Sequence, residues 1–310
     1  MEREKVQHKK TILWPERGPD NRLKLHDFSS LSIQDANRFV HMTEAIGLSV
    51  IVDHLPFGLT AKGLSEKVPA EKSKLSGDGF GWLFVEEPSG KKRAIAYLID
   101  ATGHGYKGGR ILGYIKKRLE SPKFQRYFID GAPLMRVAAG LEWILKNLNL
   151  RSKNKPIIVP MVLLEAKLDE SGQATGKMSM INMGMSPFPE LITVSRSGAL
   201  RRHLLDTNIG PLVGLAAING RLAVHQETEI NLCPEHHPDG VIRHYLRIRT
   251  DGTQDRRDEH RYTDDAYNYP VYQSLLRESK GSCVVDDHIR PQALFRGTHD
   301  DLTDLFFTKP

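Results

Sequence analysis

The sequence predicts an α+β fold with a mainly antiparallel sheet. Strand-like apolar segments are joined by turn sequences, of which Pro88-Ser89-Gly90-Lys91 is a clear example. Two adjacent helical patterns separate the first strands from a longer run of later strands. Strands joined by tight turns pair antiparallel, and segregated strands and helices are typical of the α+β class. We therefore expect strands, two helices, more strands, a further helix and a closing strand.

Composition limits the class of protein. The 310 residues are 39% hydrophobic and 26% charged, which is enough apolar material for a packed core. Two cysteines are too few for a disulfide framework, and no apolar run approaches the roughly 18 residues of a membrane span. No signal-peptide core follows the charged first residues, so we expect a cytoplasmic protein with no membrane partner. The net charge of +6 leaves an anionic partner open.

The N-terminal segments are expected to precede the globular domain. Residues 1–30 are polar and contain several turn formers, so we interpret them as a flexible tail. Ser32 and Asp35 resemble a capping box, which predicts a helix through Val40 in a linker over residues 31–54. The apolar run at 48–52 is too short to distinguish an extension of that helix from a strand.

Hydrophobic periodicity predicts the remaining elements. Apolar runs at 80–85 and 94–99 predict a β-hairpin, and helical spacing predicts helices over 107–119 and 133–148. Arg201 and Arg202 are interpreted as solvated turn residues. Further strands are expected over 157–164, 176–182, 191–195, 222–230, 245–248 and 302–308, with a helix over 271–276.

Four aspartates stand at the ends of predicted strands, beside glycine or other small or polar residues. They are Asp78, Asp100, Asp251 and Asp300. Each one alone is explained more simply as a turn residue, because aspartate bonds to its own backbone. As a set they can converge on one rim of a sheet, where carboxylates suit Mg²⁺ or Mn²⁺. A pair of such ions can clamp a phosphate and activate a water molecule.

The order of the motifs resembles the PPM-type metal-dependent serine/threonine phosphatases, in their bacterial stage II sporulation-type branch. The resemblance covers residues 50–308. The matching segments are Gly77-Asp78, Asp100-Ala101-Thr102-Gly103-His104-Gly105, Asn182-Met183-Gly184-Met185-Ser186-Pro187, Gly210-Pro211-Leu212-Val213-Gly214-Leu215, Thr250-Asp251-Gly252 and Asp300-Asp301-Leu302-Thr303. Two positions depart from the family pattern: Ser76 replaces a glycine, and Met185 replaces a histidine that is not a metal ligand.

This resemblance implies an αββα sandwich of two mainly antiparallel sheets, in a phosphatase domain over residues 55–310. It also implies two Mg²⁺ or Mn²⁺ ions. Asp100 would bridge them, the Ala101 carbonyl would bind one, and Asp78, Asp251 and Asp300 would supply the other carboxylates. Water activated by the ions would attack phosphoserine or phosphothreonine in line. His104 is a candidate proton shuttle, although a hydrogen-bonded loop histidine is the simpler explanation.

The resemblance also implies a partner. The substrate would be a phosphorylated regulatory protein, such as an anti-sigma-factor antagonist in bacterial sigma factor regulation. Dimerisation through the helix at Ser32 would offer a means of control. The alternative function is non-catalytic binding of a phosphoprotein on the same fold. A nucleic-acid partner is not expected, because the sequence has no recognition motif and no interleaved aromatic platform.

Overall fold

Two β-sheets and one layer of helices make up the part of the chain that the structure describes. The computed structural model describes residues 26–27, 40–42, 49–55, 57–66, 76–101, 103, 105–151, 156–197, 199–205, 209–215, 225–233, 240–251 and 302–309. Within these ranges no helix is both long enough and apolar enough to cross a membrane.

Fourteen strands are described. In chain order they are β1 (His26–Asp27), β2 (Val40–Met42), β3 (Ser49–Leu55), β4 (Leu59–Glu66), β5 (Asp78–Glu86), β6 (Lys92–Asp100), β7 (Met161–Leu168), β8 (Ala174–Met183), β9 (Glu190–Ser195), β10 (Leu200–Leu204), β11 (Ile209–Gly210), β12 (Thr228–Asn231), β13 (Val241–Arg249) and β14 (Leu302–Thr308). The first sheet has the order β1-β3-β4-β14-β13-β9-β10, and the second has the order β11-β8-β7-β6-β5-β2, with β12 also paired to β8. Only the short β1–β3 and β11–β8 pairings are parallel among the described strands. The predicted antiparallel character is therefore confirmed.

The helical layer lies on the second sheet. It consists of α1 (Gly105–Leu119), α2 (Pro122–Phe124), a π-helical turn (Gln125–Ile129) and α3 (Leu134–Arg151). Apolar residues of α1 and α3, among them Leu112 and Leu141, are buried against Leu83, Ile95 and other residues of the sheet. Helical residues three and four apart share a face, so each helix can present one apolar stripe to the sheet.

The two sheets pack face to face through a second apolar layer. Phe80, Trp82 and Phe84 alternate along β5 and point into this layer, whereas Leu83 and Val85 point to the helices. Successive strand residues point to opposite faces, so both faces of the second sheet are buried. This two-sided burial explains why the β5 and β6 sequences are almost continuously apolar, and the short turn between them fixes the register of the hairpin.

The opposite face of the first sheet carries a buried charge cluster beside a small apolar cluster. Arg247 donates through Nε and Nη2 to the Asp304 carboxylate, at 2.8 and 2.6 Å. Glu190 lies beside them, and its Oε1 accepts a hydrogen bond from Arg249 at 3.1 Å. Burial of charge is tolerated where opposite charges are paired with good geometry, as they are here. With both sheets placed, the predicted sandwich fold is confirmed.

Most predicted elements are present with shifted ends. The hairpin at 80–85 and 94–99, both helices, and the strands at 176–182, 191–195, 245–248 and 302–308 are confirmed. The strand expected from 157 begins only at Met161, and of the strand expected over 222–230 the structure describes Thr228–Asn231. The helix expected over 271–276 lies outside the described residues.

Two local predictions are wrong, and one open alternative is decided. The helix expected through Val40 is contradicted there, because Val40–Met42 is a strand that pairs with β5. For the run at 48–52 the strand alternative is confirmed, because Ser49–Leu55 forms strand β3. Arg201 and Arg202 are not turn residues, since they lie in the edge strand β10, which pairs with β9. Residues 26–27 of the expected tail also form a short strand, while the proposed domain boundaries stay a prediction.

Candidate metal centre

Asp78 and Asp100 face each other across the β5–β6 hairpin. Strand β5 begins at Asp78, strand β6 ends at Asp100, and the two residues are register partners. Directly opposed residues of an antiparallel pair have Cβ atoms roughly 4.5–5.5 Å apart and side chains on the same face. The alternation along β5 places this face on the inter-sheet side, in line with Phe80 and Trp82. The two carboxylates thus cap one end of the inter-sheet layer.

The backbone around this pair is held by short-range hydrogen bonds. The Asp78 N–H donates to Ser76 Oγ at 2.9 Å. The Ala101 N–H donates to the Gly77 carbonyl at 3.0 Å, and the Asp100 N–H donates to the Pro160 carbonyl at 3.0 Å. Asp78 is buried, Asp100 is half-buried and Ala101 is buried. These hydrogen bonds fix the backbone at both strand ends, while the half-buried Asp100 stays partly accessible.

Thr250 connects this pair to the other sheet. It follows β13, and its Oγ1 donates a hydrogen bond of 2.7 Å to Asp78 Oδ2. The same oxygen accepts from the Thr303 N–H at 2.9 Å, and the Thr250 N–H donates to the Thr303 carbonyl at 2.9 Å. Asp251, the next residue, is exposed. The start of β5 and the ends of β6 and β13 thus meet at one place. We call the residues there the acidic end: Asp78, Asp100, Ala101, Thr250 and Asp251.

Helix α1 starts against the acidic end, with close backbone contacts. A Cβ on Gly108 would collide with the Gly103 carbonyl oxygen and would lie 2.5 Å from the Gly77 Cα. The absence of a side chain at Gly108 is therefore what lets the first turns of the helix approach the chain that leads into Asp78. Lys107 lies nearby, since its Cδ is 3.6 Å from the position that a Cβ would take on Gly103.

The predicted site residues fall into two groups. Asp78, Asp100 and Ala101 lie together, and the hydrogen bond from Thr250 places the start of the Asp251 segment beside them. Asp300 and His104 lie outside the described residues. Among the residues that are described, no group of three or more His, Cys, Asp and Glu side chains is positioned to hold a metal ion. The ligand set therefore stays a prediction.

Sequence reasoning assigned no role to Thr250 or Ser76. Thr250 was part of the motif that contains Asp251, but its contact with Asp78 spans 172 residues of chain. A threonine directly after a strand offers no local signal for such a contact. Ser76 was noted only as a replacement for glycine, whereas its hydroxyl accepts the Asp78 N–H.

The third family-like motif, Asn182 to Pro187, has a structural role in this chain. The Asn182 side chain accepts from the Met185 N–H at 2.8 Å and donates to the Met185 carbonyl at 3.2 Å. Met185 is fully buried in the inter-sheet layer. The residue that replaces the family histidine thus fills the core, and Asn182 fixes the turn that places it there.

The chemistry of the acidic end suits a hard cation. Like charges directly opposite each other on adjacent strands are destabilising, and burial strengthens their repulsion. A divalent ion between the carboxylates would offset this repulsion, and carboxylate and carbonyl oxygens are the ligands that Mg²⁺ and Mn²⁺ prefer. The donors at Asp78, Asp100 and the Ala101 carbonyl therefore fit these ions.

Comparisons with known proteins agree with this architecture. No protein-family model matches the sequence, and no curated protein matches it. Among solved structures, the RsbU and RsbW domains of Rv1364c from Mycobacterium tuberculosis have a TM-score of 0.51 at 16% identity, over 80% of this chain and 60% of that one.

Two further similar structures have lower scores. The PP2C phosphatase domain of SpoIIE from Bacillus subtilis, with a fragment of its regulatory domain, has a TM-score of 0.47 at 13% identity, over 81% of this chain and 62% of that one. The SiaA-PP2C domain of Pseudomonas aeruginosa has a TM-score of 0.46 at 12% identity, over 75% and 80% of the two chains. The chain thus spans less than two thirds of the Mycobacterium and Bacillus structures. At such low identity the likeness shows the fold alone: this chain has the fold of the PPM-type phosphatases.

Proposed function

We propose that this chain is a metal-dependent protein serine/threonine phosphatase. Its substrate would be a phosphoserine or phosphothreonine on a regulatory protein, such as an anti-sigma-factor antagonist. The observation that carries the proposal is the meeting of β5, β6 and β13 at the acidic end, through the Asp78–Asp100 register pair and the Thr250–Asp78 hydrogen bond. Converging carboxylates at strand ends are a site for divalent cations, whereas isolated turn aspartates are not.

Each residue has a stated role in this proposal. Asp100 and Asp78 would hold the ions, with the Ala101 carbonyl and Asp251 as further oxygen donors. Thr250 would orient the Asp78 carboxylate by the hydrogen bond that it donates to Oδ2. The fit rests on the donor set, which consists of oxygen atoms on two opposed strand ends. Asp300 as a further ligand and His104 as a proton shuttle are added on the sequence resemblance alone.

Two bound ions would supply a water nucleophile at neutral pH and offset the charge on the phosphoryl oxygens. The residues of the chain position the reaction. Asp78 is buried and tied on both sides, by Ser76 at its N–H and by Thr250 at its carboxylate. A carboxylate that is fixed before the substrate arrives costs no reorganisation during reaction. The exposure of Asp251 leaves this end open to a phosphorylated segment of another protein.

The test is hydrolysis of para-nitrophenyl phosphate and of a phosphoserine peptide, with Mn²⁺ and with EDTA. We expect turnover that needs the metal and that falls about a hundredfold or more in Asp100→Asn, because that change removes a negative charge from the donor set. The matched control is Glu86→Gln, an exposed carboxylate at the other end of β5. Its kcat should stay within about twofold of the unchanged chain.

The non-catalytic alternative makes a different prediction. A phosphoprotein-binding protein on this fold would hold a phosphopeptide but show no turnover with any divalent metal. Equal activity of Asp100→Asn and the unchanged chain would also remove the basis of the proposal. Metal binding itself is checked without activity, by isothermal titration of Mn²⁺ into both chains.

A further inference from the structure

The positive charge of this chain is concentrated in the helical layer. Residues 105–151 contain ten Lys and Arg against three Asp and Glu, a surplus of seven. The whole chain has a surplus of six, so the rest of the sequence is close to neutral. Of the three acids, Glu120 pairs with Lys116 at 2.8 Å, and Glu142 accepts a hydrogen bond from the Gly214 N–H at 2.9 Å. The layer therefore presents basic groups that acids of its own do not offset.

Helix α1 arranges part of this charge in one exposed stripe. Its outward side chains follow helical spacing, which places them on one face. They are Tyr106, Lys107, Arg110, Tyr114, Lys117 and Arg118, which we call the basic stripe. Tyr114 and Arg118 are half-buried, and the other four side chains are exposed. Tyr106 is 63% exposed, and no acidic residue lies within α1 itself. The fifteen residues of α1 extend roughly 22 Å at a rise of about 1.5 Å per residue, which is enough to contact an extended peptide of several residues.

Aromatic rings hold two of the cations of the stripe. The Arg110 Cζ lies 5.6 Å from the centroid of the Tyr106 ring, and the Arg118 Cζ lies 5.1 Å from that of Tyr114. Stacking limits the freedom of each guanidinium while leaving its N–H groups for carboxylates, so less entropy is lost when a partner binds. The stripe is thus arranged for binding anions on a protein surface.

The position of the stripe connects it with the acidic end. Lys107 lies near Gly103, with its Cδ 3.6 Å from the position that a Cβ would take there, and Gly108 contacts the chain that leads into Asp78. A protein that places a phosphorylated residue at the acidic end must lay the neighbouring residues over adjoining surface. We propose that the basic stripe docks an acidic segment of the phosphoprotein substrate, next to its phosphorylated residue. This proposal rests on the proposed phosphatase function and specifies its substrate as acidic around the phosphosite.

An acidic protein segment fits better than a nucleic acid. The chemistry proposed for the acidic end acts on a phosphate monoester, whereas the backbone of RNA or DNA consists of diesters. Carboxylates in an extended segment also match guanidinium and ammonium groups that are spaced by helical turns. Because the stripe is exposed, the attraction should act mainly on encounter and weaken with salt.

The test measures binding separately from hydrolysis. The probe is a fluorescein-labelled peptide with one phosphoserine between runs of glutamate, titrated in EDTA by fluorescence anisotropy so that it stays intact. A second peptide has glutamine in place of glutamate. We expect the triple variant Arg110→Gln, Lys117→Gln, Arg118→Gln to weaken binding of the glutamate peptide about tenfold at low salt, and binding of the glutamine peptide less than about twofold.

A charge-matched variant is the control. Lys91→Gln, Lys92→Gln, Lys177→Gln removes three exposed cations, one from the turn before β6 and two from strands β6 and β8. Lys91 and Lys92 lie at the end of β6 opposite Asp100, so this variant should bind both peptides like the unchanged chain. Equal weakening by both triple variants would attribute the effect to net charge and overturn the proposal. So would unchanged binding in the stripe variant, or stripe-dependent binding of single-stranded RNA or phosphatidylserine vesicles without binding of the glutamate peptide.

Hydrolysis of para-nitrophenyl phosphate with Mn²⁺ separates this proposal from the proposed function. This substrate has no peptide segment that the stripe could dock. Turnover of it, combined with failure of the peptide test, would retain the phosphatase and reject the docking surface. Stripe-dependent peptide binding without turnover of either substrate would retain the docking surface and reject the phosphatase.

Discussion

At the scale of single residues, the acidic end depends on a hydroxyl group. Thr250 Oγ1 donates to the buried Asp78 carboxylate and accepts from the Thr303 N–H, so its hydrogen-bonding capacity is used in both directions. A hydrogen bond to a buried charge is worth more than one between neutral groups, because the charge would otherwise be left without compensation. Thr250 therefore stabilises both the fold and the orientation of a proposed ligand.

Thr250→Val should show both effects, because valine has nearly the same shape but no hydroxyl. We expect a loss of about 1.5–3 kcal/mol in the free energy of unfolding, measured by urea denaturation in EDTA. The Mn²⁺ concentration for half-maximal phosphatase activity should rise about tenfold, since groups that orient metal ligands have effects of this size. The proposed function supplies the activity readout.

Thr250→Ser is the matched control, because serine keeps the hydroxyl and loses only a methyl group. It should retain most of the stability and of the Mn²⁺ response. If the serine variant loses both properties while the valine variant keeps them, the methyl packing of Thr250 and not its hydrogen bond is their source. The sequence could not predict this contact, since the two residues are 172 positions apart and lie at the ends of different sheets.

At the scale of elements, the contact between α1 and the acidic end depends on a glycine. Gly108 faces backbone atoms of Gly103 and Gly77, whereas Gly113 on the same helix is exposed and has no heavy atom within 4 Å of its Cβ position. Backbone cannot move aside as a flexible side chain can. The two glycines therefore offer the same substitution in one helix with opposite expected results.

Gly108→Ala should lower the free energy of unfolding by about 1–3 kcal/mol, because the new methyl group overpacks the contact with the backbone. Gly113→Ala should raise it by about 0.5–1 kcal/mol, because alanine loses less entropy in a helix and nothing obstructs it. Both are measured by urea denaturation of the full chain. A neutral Gly108→Ala would show that α1 can shift without cost, and would contradict the close contact described here.

Element prediction succeeded where the pattern was local. Strands β5 and β6 are apolar on both faces and are joined by a short turn, so the hairpin follows from the sequence. Strand β10, with the sequence LRRHL, is an exposed strand at the edge of the described sheet, where it pairs with β9. The three residues of β2 are held by their pairing with β5. Such strands depend on a distant partner, which local propensity does not encode.

At the scale of the whole molecule, distant segments of the chain are combined in each sheet. Strand β14, at the end of the chain, lies between β4 and β13 in the first sheet. Strands from the first and the last quarter of the sequence thus lie side by side in one sheet. The resemblance of the motifs implied a sandwich of two sheets, whereas periodicity alone implied only the class. The acidic pair at β5–β6 could be predicted because hairpin register is local, while the approach of β13 was expected only from the resemblance.

The burial of a single titratable group should be visible in the stability of the whole molecule. Tyr97 lies 2% exposed between the second sheet and the helices. Burial raises the pKa of its phenol far above the ordinary value of 10.0, and the negative charge of Glu120 adds to the rise. Above pH 10 the unfolded chain therefore releases this proton while the folded chain keeps it. Folding stability must then fall as the pH rises, because the folded state binds more protons.

Tyr97→Phe should remove this contribution. We expect the free energy of unfolding of the unchanged chain to fall above pH 10 more steeply than that of the variant, by about 1.4 kcal/mol per pH unit. The measurement is urea denaturation at several pH values from 9 to 11 or, equivalently, thermal melting with the difference between chains taken at each pH. Other groups that titrate in this range cancel in that difference.

Tyr106→Phe, which changes a largely exposed phenol, should leave the slope like that of the unchanged chain. Parallel slopes for Tyr97→Phe and the unchanged chain would mean that the folded protein opens enough to ionise Tyr97, and that the layer between sheet and helices is less closed than its packing indicates.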